Sequence, residues 1–159
     1  IYYYFADKED LYLTVLERAM TSLGADVPPL RRAADARAFW REVTRLYEAV
    51  VALVRRDARI VTLLQRSAAD VVRLTHHERL APLMAGAYAA VASVLQNGIE
   101  VGAVRTDVPP ELLFELTLAV GQTLDKYAMA SGELATPEGC ARSVARGVDL
   151  LRRLLSPPR

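Results

Sequence analysis

Lysine is almost missing from this chain. Lys8 and Lys126 stand alone, and arginine supplies the rest of the 20 basic residues. Set against 19 acidic residues, these leave a net charge of +1, so no global field draws the chain to nucleic acid or to a membrane surface. Cysteine occurs once, at Cys140, which excludes a disulfide within the chain and fits a reducing cytoplasm. No apolar run approaches the roughly 20 residues of a membrane span. The opening residues lack the charged-then-apolar pattern of a secretory signal. A cytoplasmic protein without membrane attachment is therefore expected.

Chemical motifs are equally scarce. There is no glycine-rich phosphate loop, no Glu-x-x-His pair for a di-metal bundle, and no local Ser/His/Asp or Cys/His set. His76 and His77 are adjacent, and neighbours on a helix do not face one another, so they make a poor metal pair. The expectation is a protein with no metal, no cofactor and no enzymatic activity.

What is present is helical periodicity. The 159 residues are 52% hydrophobic and 25% charged, enough for one domain with a real core, and the apolar excess suggests surface buried in an oligomer. Period-two alternation is missing, while apolar residues recur at spacings of three and four. The fold class is thus all-α, an antiparallel bundle of about six helices.

The first helix is capped by Asp7, with Asp10 in the place of a capping-box Glu, and Gly24 as its stop. Asp35 caps a second, whose apolar face holds Phe39, Val43, Leu46, Val50 and Leu53, with Arg41, Arg45 and Glu48 opposite. A shorter helix is expected over 58–69, and Thr75 with Glu78 matches a capping box. The next helix runs from about Pro82 to Glu100, with Met84, Ala87, Tyr88, Val91, Leu95, Gly98 and Ile99 inward. Gly102 stops it, and Pro110 opens a helix that is apolar nearly all round, a pattern that predicts burial on more than one side. Thr136 caps the last helix, which carries a stripe of Cys140, Val144, Val148, Leu151 and Leu155.

The stretch "IYYYFADKEDLYLTVLERA" resembles the end of the recognition helix, the following turn and the fourth helix of the TetR family of transcriptional regulators. Ile1, Tyr2, Tyr3, Phe5, Lys8, Glu9 and Leu11 match that pattern, while Tyr4 and Asp7 stand where the family often has His and Ser. "NGIEVGAVRTDVPPELL" is similar to a later helix joint of the same family, from which Pro109 departs by offering no capping side chain. The resemblance implies that residues 1–6 are the remnant of a helix-turn-helix DNA-binding head, 7–155 an effector-binding and dimerisation domain, and 156–159 a tail. It implies that Tyr2, Tyr3, Tyr4 and Lys8 contact operator DNA in the intact protein. A hydroxyl reaches phosphate and a ring packs on sugar or a thymine methyl, so the residue types suit that role.

Tyr47, Gln65, Tyr88, Gln122 and Tyr127 interrupt otherwise apolar stretches, as the few polar groups of a small-molecule pocket do. The resemblance implies a pocket among the middle helices that takes an apolar or amphipathic effector, with Trp40, Met84 and Phe114 on its wall. It also implies a homodimer built on the last two helices through Leu116, Val120, Leu124, Ala141, Val144, Ala145, Val148 and Leu151. The function so implied is ligand-controlled repression. The alternatives are a helical enzyme or carrier for a small apolar molecule, and a pure dimerisation module.

Overall fold

The structure is a computed structural model and describes residues 5–56 and 78–158; within them, nothing is stated of the side chains at 19, 20, 22–24, 53 and 54. The expected helix over 58–69, Gln65, Thr75, the histidine pair and Tyr2, Tyr3 and Tyr4 lie outside the described residues. The described elements are α1 (Lys8–Asp26), α2 (Ala36–Arg56), α3 (Ala81–Glu100), α4 (Pro110–Ala130), a 3-10 turn (Glu133–Ala135) and α5 (Pro137–Leu155). The fold is an all-helical bundle, with no strand among the described residues.

Local chemistry explains where the helices begin and end. The Asp10 amide donates to Asp7 Oδ1 at 2.8 Å, satisfying one of the orphan N–H groups at the head of α1. Asp10 reaches back in turn, accepting from the Ala6 amide at 3.1 Å. Its side chain is one methylene shorter than Glu, and the reciprocal bond is made one residue upstream of the cap. Asp35 caps α2 through the Ala38 amide (2.7 Å), and Thr136 caps α5 through the Gly139 amide (3.0 Å). Pro109 contributes no side-chain cap to α4, where proline at the helix start needs no donor. Pro82 falls in the first turn of α3 and costs no internal hydrogen bond there. Gly102, at φ 69°, turns the chain out of α3. Gly24 does not stop α1, which continues to Asp26.

The main core joins α2, the end of α3, the turn after it, α4 and α5. Phe39, Trp40, Leu95, Ala103, Val104, Leu113, Leu151 and Leu155 are its buried members. Two glycines let the helices approach. A Cβ on Gly98 would meet the Phe39 ring at 2.7 Å, and one on Gly147 would meet the Tyr47 ring at 2.6 Å. A second, smaller cluster of Leu13, Leu16 and Leu80, flanked by Tyr12 and Leu83, seats α1 on the start of α3.

Two polar side chains that the sequence reading did not single out are buried, and several expectations are corrected. Glu42 is buried because its carboxylate accepts from the Arg31 amide (2.9 Å) and from Arg45 Nε (2.8 Å), pinning the 27–35 loop to α2. Arg45 turns with it and is half-buried. Asn97 is buried on α3, its Oδ1 accepting from the Ala33 amide at 3.0 Å. Ala87 and Tyr88, expected inward, are exposed. The α4 helix is not buried all round: Leu113 and Ala128 are buried, while Leu112, Leu116 and Tyr127 reach solvent. The core meets one side of it, and Glu115, Gln122 and Lys126 punctuate the outer side.

Candidate functional site

An open groove of about 560 Å³ lies between α3 and α4. Its α3 wall is cut by small residues, since Ala89 and Ala92 leave room that larger side chains would fill. Leu95 and Ile99 reach it from the core end of α3, and Pro110 and Phe114 face them from α4. Tyr88 and Phe114 meet edge to face, with ring centroids 5.9 Å apart and planes at 82°. That is a favoured aromatic geometry, and it links the two walls. Polar groups enter from Gln96, Glu111 and Glu115. The groove offers small apolar walls, two rings, an amide and two carboxylates.

The expected pocket set divides. Tyr88 and Phe114 come together in the groove. Trp40 does not line it: the indole is buried beside Phe39, ring centroids 5.1 Å apart, with the Arg152 guanidinium 5.1 Å from its own ring. Tyr47 packs on Gly147 and against the main core. Met84 is half-buried in the first turns of α3, Gln122 is exposed on α4, and neither borders the groove. Gln65 lies outside the described residues. Sequence reasoning missed Glu111 and Glu115. Their signal was two carboxylates four residues apart in the apolar first half of the helix, flanking Phe114.

Near Tyr47 lies a second polar feature that the sequence reading passed over. Asp125, on α4, is an exposed residue by surface area, yet partial desolvation of its carboxyl pushes it up to about 6. Tyr47 is pushed up to about 12 by burial first and by the Asp125 charge second. The phenol therefore keeps its proton at any ordinary pH and can act there as a donor.

The expected interface residues also divide. Leu116, Ala141 and Ala145 are exposed, and Val120, Leu124 and Val148 are half-buried. Val144 and Leu151 are buried within the single chain, so little of either side chain is left for a second copy. Gly147, a small residue of the same helix, is likewise taken up by Tyr47. Lys8 opens α1, immediately after its cap. Among the described residues, no three His, Cys, Asp or Glu side chains are grouped to hold a metal ion. No helix among them is long and apolar enough to cross a membrane.

No family model, curated protein or solved structure matches this chain.

Proposed function

We propose that this chain is the effector-binding part of a ligand-responsive transcriptional regulator, with the α3–α4 groove as its effector site. The observation that carries the reading is that one helix, α3, both walls the groove and seats α1. Tyr88, Ala89 and Ala92 border the groove, and Leu83, together with Leu80 just before the helix, packs on Leu13 and Leu16 of α1. Arg79 adds a polar clamp beside that contact, donating to Asp10 (2.7 Å), Thr14 (3.0 Å) and Glu17 (2.8 Å) along one face of α1.

The α1 helix starts at the capped Asp7, directly after the aromatic stretch that resembles the end of a recognition helix. A ligand that parts α3 from α4 moves the platform on which α1 rests. In a homodimer, that changes the spacing of two recognition helices, and operator half-sites sit at fixed spacing. The second copy packs on the outward faces of α4 and α5, where Leu116, Leu150, Ala141 and Ala145 are exposed.

The reading requires a helix-turn-helix encoded before Ile1. Its test is sequence-specific DNA binding by the intact gene product, measured by fluorescence anisotropy on fragments selected from the host genome. Binding that weakens when a groove ligand is added supports the reading, and an intact product with no sequence preference would sink it. Arg79→Ala is expected to leave ligand affinity unchanged while reducing the ligand's effect on DNA binding.

A further inference from the structure

We propose that the α3–α4 groove selects a hydrophobic monocation, such as a quaternary ammonium or phosphonium ion. The inference rests on reading this groove as the effector site, and adds the ligand class. Its first support is the pattern of ion pairing. Many carboxylates elsewhere in the described structure pair with arginine, among them Asp10 and Glu17 with Arg79, Glu42 with Arg45, Glu100 with Arg32, Asp107 with Arg105 and Glu133 with Arg146, while others such as Glu48 and Glu138 are simply exposed. Glu111 and Glu115 at the groove have no such partner among the described residues, and no basic side chain borders it. Across α3 and α4, Lys126 is the sole basic residue, against Glu100, Glu111, Glu115 and Asp125.

Glu111 has a local reason to be where it is, since it lies in the first turn of α4 and offsets the positive end of that helix. Glu115 lies one turn further on and has none. Its carboxylate beside an apolar groove raises the local preference for positive charge.

The second support is aromatic. Ring faces attract cations, and among the described residues that attraction occurs within the fold, with Arg146 5.0 Å from the Tyr127 ring and Arg152 5.1 Å from the Trp40 ring. The Tyr88–Phe114 pair has no cation over it among the described residues. It stands at the groove with Glu111, about one turn before Phe114, and Glu115, the residue after it. The remaining walls, Ala89, Ala92, Leu95 and Ile99, are apolar and suit the hydrocarbon body of such an ion. The groove volume lies within the roughly 300–1,000 Å³ of small-molecule sites, too small for a folded partner.

The test uses two soluble ions of nearly the same shape and opposite charge, tetraphenylphosphonium and tetraphenylborate, in equilibrium dialysis against the 159-residue chain. The phosphonium is expected to bind at least about tenfold more tightly. Glu115→Gln should weaken phosphonium binding about fivefold and leave the borate unchanged or slightly tighter. The residue is exposed, so circular dichroism should show no loss of helix. Phe114→Leu should lower phosphonium affinity more than borate affinity, and Glu138→Gln, a charge change on α5 away from the groove, should alter neither. Equal affinities, binding of neither ion, or the same loss in Glu138→Gln overturns the proposal. A groove that prefers the anion leaves the regulator reading standing. An intact protein that ignores DNA removes the regulator reading and leaves the dialysis result intact.

Discussion

The two hydrophobic clusters among the described residues hold their helices by different means. The main core is built from large side chains interlocked across four helical segments, with Gly98 and Gly147 admitting Phe39 and Tyr47 at close range. The α1 seat has Leu13, Leu16 and Leu80 as its buried members, and surrounds them with charge. Arg79 spans three side chains of α1, and Arg56 pairs with Asp26 at its far end. Packing contributes through buried area and resists salt, whereas exposed ion pairs are weak and screened. The α1 seat is therefore the smaller and more salt-sensitive of the two contacts, which is what the proposed transmission from groove to DNA would need.

The largest expected effect tests the stronger region. Phe39→Ala should cost about 3–5 kcal/mol in urea unfolding, through lost burial and the cavity it leaves. Leu16→Ala should cost about 2–3 kcal/mol by the same mechanism. Hydrogen exchange distinguishes the two: Phe39→Ala raises exchange throughout, and Leu16→Ala raises it in α1 first. Uniform loss of protection in Leu16→Ala would erase the contrast.

Next is Glu42. The Arg45 guanidinium beside it, helped by the Arg31 amide, holds its carboxyl down at about 2, against an ordinary value of 4.5. A depressed folded-state value means that its contribution is complete above pH 4.5 and is lost as pH falls from there through about 2. Glu42→Gln should cost about 1–2 kcal/mol at neutral pH and flatten the acid limb of a stability profile.

Asp125 has the opposite sign. Its folded-state value is raised from 3.8 to about 6, so its contribution is complete below pH 3.8 and is lost as pH rises through 6. The carboxyl keeps some contact with solvent, so the effect is small. Asp125→Asn should raise relative stability above pH 6 and leave it unchanged below pH 4, by thermal melts at both. The smallest effect is expected from Arg79→Ala, which should speed exchange in α1 by less than about fivefold at low salt and hardly at all at high salt.

The helix ends were legible because caps and stops are local. Asp7, Asp35 and Thr136 each bond amides a few residues away, and Gly102 needs only its own backbone freedom. Gly24 shows the limit, since a glycine stops a helix only where the continuing chain has somewhere better to go. Of the site, Tyr88 and Phe114 were legible as ring-bearing residues on facing helices. Glu111 and Glu115 were not, because charges at helical spacing look like any solvated face until a neighbouring helix supplies the opposite wall.

By itself, the sequence determined the all-helical class, most helix boundaries and the existence of an apolar stripe on α5, since these follow from spacing and from capping within a few residues. Tertiary structure alone decided which half of an evenly apolar α4 meets the core. It also decided that Val144 and Leu151 are buried within the protomer, that Glu42 is buried yet paired, and that two carboxylates and two rings share one groove. Those outcomes depend on which surfaces meet across the bundle, and contact between residues distant in sequence leaves no mark in local periodicity.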